Sequence, residues 1–375
     1  MRFMQRERAT LNEFLPGLDA ELSAMPLCDL ECAGGPGLKL FKDAGGPALL
    51  VPVEHSGLGA DAVCAVRVQR AIASRSPSLA IGTTMHHFSI AGLADASVNV
   101  QGPEWMLLQA IAEGRLLVAS GFAEGRTGQA ILSPTMRAEV RGDKVVINGS
   151  KKPCSLAHSM DLLTASVALP TDEGEQMAVA LVSRHSPGLQ VRPFWNNAVL
   201  AGAESDEVVL TDVEVPMDLV VRTEITPDQQ LDDLQTAGFV WFELLMSACY
   251  IGVASALVER VLLAGKVNAS LRAGVFTDIE AAMRGVEGVA RAISQERAGQ
   301  EALVDALVCR YHVQDTISLV VRQCVEALGG MAYISSNDVT YLAAASAALA
   351  FHPPSRSRMA EPLCGYIAGG PLSIA

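Results

Sequence analysis

The sequence predicts an α+β chain in three serial parts. These are an all-helical domain over residues 1–112, an antiparallel β-domain over 113–225 and a helical bundle over 226–375. Three observations carry this prediction. The apolar spacing is helical up to about residue 112, changes to alternation near residue 115, and returns to the helical period from Asp228. Strands gathered between two runs of helices mark an α+β arrangement rather than alternating layers. Aromatic residues make up only 5% of the chain, while Ala and Gly are abundant, which suits closely packed helices better than a large antiparallel barrel.

In the first part, Leu38–Phe41 and Leu49–Leu50 are separated by Asp43, Gly45, Gly46 and Pro47. A helix is expected to begin after Asp61 and to carry Val66, Val68, Ala71 and Ile72. Gly57–Leu58–Gly59 makes a poor dinucleotide fingerprint, because its sixth position is Ala62 and Pro52 interrupts the short strand before it. In the middle part, Met136–Arg141 alternates, Gly142–Asp143 makes a hairpin turn, and Lys144–Ile147 resumes as a strand. Further strands are expected at Leu162–Leu169, Met177–Ser183, Leu189–Phe194 and Val208–Val215, the last ended by Pro216. In the third part, helices are expected over 230–263, 275–298, 301–328 and 335–350, with His352–Pro353–Pro354 breaking the last.

The charge balance, 28 Lys and Arg against 41 Asp and Glu, argues against nucleic acid as a partner, since a phosphate backbone needs a basic stripe. The eight cysteines read as reduced, mostly buried thiols of a cytoplasmic protein. Only Cys28 and Cys32 lie close together and no second pair accompanies them, so no metal site is expected. Met1–Leu15 has no apolar run of the secretory kind. Ala237–Val258 carries one charge and is long enough to cross a membrane, but it stands alone and is read as a buried helix.

That one charge is Glu243. A carboxylate inside an apolar helix costs several kcal/mol, roughly, unless it is paired or protonated, and burial raises its pKa toward the range of a general base. His86–His87 are adjacent, so they point to different helix faces and read as structural residues. Gly121–Gly128 is a glycine-rich loop without the Lys-Ser/Thr pair of a phosphate-binding P-loop. Gly329–Gly330 reads equally well as a helix C-cap.

Taken in order, several segments resemble the acyl-CoA dehydrogenase superfamily. Leu50–Gly59 resembles its "P-E-x-x-G-G-x-G" segment, and Phe122–Gly128 stands where its "T-E-P-x-A-G-S-D" loop belongs. Ile147–Lys151 resembles "I-N-G-x-K", Val208–Pro216 resembles "V-x-F-x-D-V-x-V-P", and Glu326–Tyr333 resembles "x-x-L-G-G-x-G-Y". The resemblance implies a helical N-terminal domain, a middle β-domain and a C-terminal four-helix bundle, assembled as a homodimer or homotetramer. It implies FAD between the β-domain and the bundle. By motif position Phe122, Ala123, Gly128, Cys154 and Ser155 would line the flavin, while Arg272, Gly329 and Gly330 would meet the dinucleotide.

The activity it implies is α,β-dehydrogenation of an acyl thioester, on CoA or an acyl carrier protein, by a glutamate base with hydride transfer to the flavin. Electrons would then pass to an electron-transfer flavoprotein or to oxygen. The base expected here is Glu243, with Glu361 second. The "Y-E-G-T" glutamate of most members is replaced by His352–Pro353–Pro354. Members that place the base on the first bundle helix would have it at Phe242, one residue from Glu243. Two alternatives follow from the same residues: a flavin-dependent monooxygenase of this fold using His352, or a binding subunit whose catalytic motifs have eroded.

Overall fold

The computed structural model describes residues 1–97, 104–126, 132, 134–172, 174–223, 231–295 and 299–374. Seven helices come first: α1 (Gln5–Phe14), α2 (Leu18–Ser23), α3 (Leu27–Glu31), α4 (Gly37–Asp43), α5 (Ala62–Ala73), α6 (Pro77–Ser97) and α7 (Glu104–Gly114). Asp61 starts α5 as expected, its carboxylate accepting from Cys64 N at 2.7 Å. Pro77 opens α6, where its missing N–H costs nothing. Residues 77–84 of α6 are all buried, which makes it the central helix of this part.

Eight strands follow: β1 (Val118–Gly121), β2 (Arg137–Arg141), β3 (Lys144–Cys154), β4 (Leu162–Thr171), β5 (Gly174–Ser183), β6 (Leu189–Arg192), β7 (Asp206–Pro216) and β8 (Val220–Arg222). They form one sheet in the order β6-β7-β3-β2-β4-β5-β8, with β1 pairing to β4. The expected turn is present: Gly142 takes φ 64° and Arg141 faces Lys144 across it. The sheet is mixed rather than wholly antiparallel. β1 runs parallel to β4, and Arg137 of β2 meets Ala168 of β4 in parallel register. No tight turn joins β1 to β4, so nothing forces them antiparallel.

The last part holds α8 (Asp233–Leu263), α9 (Ala269–Gln295), α10 (Gln300–Ser335), α11 (Asn337–Ser346) and α12 (Arg356–Ile367). α8 is the core of the bundle. In Gln235–Leu263, 94% of the most apolar window is buried within the protein, the signature of a core helix in a globular fold. Sequence reading named this stretch alone, but Gln300–Ser335 is also long and apolar enough to cross a membrane, with 22% of its window buried. Its apolar residues are more dispersed, among Arg310, Asp315, Arg322 and Glu326. Gly329 leaves the helical conformation at φ 83°, so the expected cap is a kink within α10. The cysteines are less buried than expected: Cys28, Cys32 and Cys364 are exposed.

Two features lock the N-terminal helices onto the bundle. Glu287 on α9 lies fully buried and pairs with Arg67 of α5 at 2.8 Å and Arg6 of α1 at 3.2 Å. α5 also presses directly on α8 at Gly252. A Cβ there would fall 2.4 Å from Arg70 O and 2.6 Å from Ala73 Cβ. Gly252→Ala must therefore push two helix backbones apart. The expected cost is about 1–3 kcal/mol of unfolding free energy, read from the urea midpoint at unchanged m.

Candidate active site

α6 and α8 pack along each other, and both are largely buried. The half-buried residues of α6 include Met85, Phe88 and Ser89, at the i, i+3, i+4 spacing of one helix face. Those of α8 include Phe239 and Phe242, again three residues apart. Half-buried aromatic rings on two largely buried helices form a cluster that could take an apolar ligand. The Phe88 and Phe242 rings meet edge-on with centroids 5.5 Å apart, and Phe242 meets the His352 ring at 6.3 Å.

His352 sits on the turn between α11 and α12. Its Nε2 lies 2.8 Å from Tyr250 Oη, and none of the described residues hydrogen-bonds its Nδ1. Burial, followed by the Arg310 guanidinium, pushes its pKa down to about 3, so the ring is neutral near neutral pH. Burial holds the Tyr250 phenol well above its ordinary value, so that group is neutral too. Tyr250 Oη–H needs an acceptor in its buried surroundings, and the nearby Nε2 is one. This assigns Nε2 as the acceptor and leaves the proton on Nδ1.

Glu243 lies one turn and a little more N-terminal to Ser247, on the same face of α8 as Tyr250. It is fully buried, and both oxygens accept from Arg310 Nη1, at 2.9 and 2.8 Å. Burial pushes its carboxyl up to about 7 against the pull of that guanidinium. Arg310, 1% exposed, also donates to the carbonyl oxygens of Leu349 and Pro354 at 3.2 Å and of Pro353 at 3.3 Å, and to that of His352. The expected base is thus fully buried and tied at both oxygens to a cation. Glu361, the second expected base, lies exposed on α12.

The residues expected along the flavin are partly gathered. Phe122 and Ala123 leave β1 half-buried, and Ala123 O accepts from Lys152 N at 2.8 Å, beside the end of β3. Ser155 is half-buried there, with its hydroxyl 2.9 Å from that of Ser205. Cys154 is turned inward, its Sγ 3.6 Å from Ser120 O, so its thiol does not face a ligand. Gly128 lies outside the described residues. Arg272 sits on α9, and its Nε is buried without a partner. Gly329 and Gly330 form the kink of α10, half-buried and exposed respectively.

α6 links the two regions. His86 Nε2 donates to Pro47 O at 2.9 Å and its Nδ1 accepts from Val118 N at 3.0 Å, which fixes the start of β1 and confirms its structural reading. His87 packs edge-on against Phe41 at 5.6 Å, with both ring nitrogens buried and unpartnered. Sequence reading missed Arg310, Tyr250 and Phe88. Arg310 alone left a signal, a cation among the apolar residues Leu307, Val308 and Val313.

Residues 119–213 match the family described as acyl-CoA dehydrogenase, middle domain. Isobutylamine N-hydroxylase of Streptomyces viridifaciens is 46% identical over 100% of this chain and 100% of its own length. Among solved structures, the nitrososynthase of Micromonospora carbonacea var. africana superposes with a TM-score of 0.81 at 20% identity, covering 98% of this chain and 97% of that one. FMN-bound TdsC, a dibenzothiophene monooxygenase of Paenibacillus sp. A11-2, superposes with a TM-score of 0.82 at 16% identity, covering 100% and 99%. At those identities the structural likeness speaks for the fold.

These findings correct three expectations. Dehydrogenation of an acyl thioester is overturned by the full-length relationship to an amine hydroxylase, in agreement with the tied carboxylate of Glu243. The acyl-CoA or acyl-carrier-protein partner falls with it, as does the need for an electron-transfer flavoprotein. FAD is corrected as well, because the flavin held by the matching solved structures is FMN.

Proposed function

This chain belongs to the acyl-CoA dehydrogenase superfamily, in a divergent flavoenzyme branch, and from that premise we propose that it is a flavin-dependent monooxygenase that N-hydroxylates a small primary alkylamine. The observation that carries this reading is the His352–Tyr250 pair beside the Phe88 and Phe242 rings, in a chain 46% identical to an alkylamine hydroxylase. The overall balance is RNH2 + O2 + FMNH2 → RNHOH + H2O + FMN.

The residues present fit a flavin mononucleotide. The half-buried residues just beyond β1 and β3, Phe122, Ala123 and Ser155, would offer backbone groups and a hydroxyl to a flat ring, and Arg272, whose Nε is buried without a partner, would supply a donor for a phosphate. Reduced FMN, when bound, supplies the two electrons and activates the oxygen. The chain's own side chains do the rest. Phe88 and Phe242 enclose the alkyl group and exclude water from it. Glu243 is occupied by Arg310 and does not hold the substrate as an ammonium ion, so among these apolar rings the site would take the neutral, nucleophilic amine. Tyr250 keeps the N–H of neutral His352 on Nδ1, a hydrogen-bond donor that would orient the amine nitrogen or the oxygen at the reacting end of the site.

The test is turnover of isobutylamine with reduced FMN and air, followed by mass spectrometry for a product one oxygen heavier. Unaltered amine across a series of short alkylamines, with reduced FMN consumed, would overturn the reading. The pH dependence checks the selection of the neutral amine. An alkylammonium has a pKa of about 10, as a lysine does, so kcat/KM is expected to rise about tenfold per pH unit between 6 and 9. His352, held near 3, adds no limb in that range.

A further inference from the structure

We propose that Glu243 and Arg310 form a buried positioning pair whose guanidinium clamps the turn over 349–354 and thereby holds the His352 ring against Tyr250, fixing which ring nitrogen carries the proton. The pair touches neither substrate nor cofactor, and its effect on catalysis rests on the amine hydroxylase reading. Its effect on the ring does not.

The guanidinium makes contacts of two kinds. Its Nη1 grips both oxygens of Glu243 and donates to the carbonyls of Pro353 and Pro354, and its Nη2 donates to those of Leu349 and His352. Only a planar fork of donors can reach such a set, and the compact ammonium of a lysine cannot. A cation this deeply buried requires its counter-charge, so Glu243 is what allows Arg310 to stay there. Tyr311 Oη adds a bond to Pro354 O at 3.0 Å.

The arrangement aims the ring because both reference points share one rigid element. Glu243 and Tyr250 lie seven residues apart on α8, about two turns, and so on one face. Glu243 anchors the clamp that holds the His352 backbone, and Tyr250 receives the His352 side chain. The distance between turn and phenol is therefore set within a single helix. Without the clamp, the turn is free to shift, and Tyr250 no longer selects one tautomer.

The experiment labels the histidine rings with nitrogen-15, assigns His352 by its loss in His352→Gln, and reads the tautomer by NMR. The wild type should show one tautomer, protonated at Nδ1. Glu243→Met/Arg310→Met, which removes both buried charges together, should fold and show a mixture. In turnover with isobutylamine, hydroxylamine formed per reduced FMN oxidised should fall about 100-fold, as expected of a catalytic group misplaced by an ångström, with KM for the amine unchanged. Arg310→Lys keeps the charge and covers the case in which the double variant does not fold; it too should show mixed tautomers. A single Nδ1-protonated tautomer in either folded variant overturns the inference. A wild type that hydroxylates no alkylamine would sink the functional reading alone, because the tautomer measurement needs no turnover.

Discussion

His352→Ala is expected to lower hydroxylamine formation by a factor of about 100 or more, the range over which a positioned hydrogen-bond donor contributes. The fold should survive. Arg310 holds the turn through backbone carbonyls, and the His352 side chain takes no part in that clamp. What is lost is the hydrogen-bond donor at Nδ1, together with the acceptor of Tyr250 Oη–H. Reduced flavin should still be consumed by oxygen, with hydrogen peroxide appearing in place of hydroxylamine. The measurement is the ratio of those two products, taken on protein whose thermal midpoint stays close to that of the wild type. A variant that hydroxylates isobutylamine at the wild-type rate would remove His352 from the chemistry, and the site with it.

The three-part fold was legible because period is a property of neighbouring residues. Alternation at Met136–Arg141 and the helical spacing after Asp61 need no tertiary information, and both elements stand where the pattern placed them. The parallel pairing of β1 with β4 was not legible, since strand direction across a long connection leaves no local mark. The site divides in the same way. Glu243 stood out by composition, but its role depends on a cation 67 residues away in sequence, and pairing at that separation cannot be read from a single chain. His352 was visible only through resemblance, as the residue standing where a glutamate usually does. Tyr250 and Phe88 are ordinary residues of apolar helices, and only tertiary packing gathers them with Phe242 and His352 into one ring cluster. Chemistry was misassigned for the same reason: a buried carboxylate looks like a base until its partner is seen.

Glu31→Ala is expected to remove about 3 kcal/mol or more of stability, because several buried donors lose their acceptor and each orphaned group costs about 1–3 kcal/mol. Glu31 is 3% exposed at the end of α3. It accepts from Ser76 Oγ at 2.6 Å, from Ser78 Oγ at 2.6 Å and from Ser78 N at 3.1 and 3.2 Å, which caps the first turn of α6. Tyr341 of α11 donates to it as well, and that same hydroxyl accepts from Leu200 N at 2.8 Å. One carboxyl thus joins the N-terminal helices, the loop before β7 and the bundle. It also sets the seat of α6, the helix that carries Phe88 to the ring cluster, so the variant should lose amine turnover along with stability. Burial pushes the Glu31 carboxyl up, so folding favours its protonated form. That contribution is complete below the unfolded value of about 4.3 and is lost as pH rises through the folded value. Glu31→Gln is neutral at every pH and cannot show this loss. Its deficit against the wild type, measured by urea unfolding, should therefore be larger at pH 4.5 than at pH 8, and a deficit that grows with pH would show that the carboxylate is the form the fold prefers.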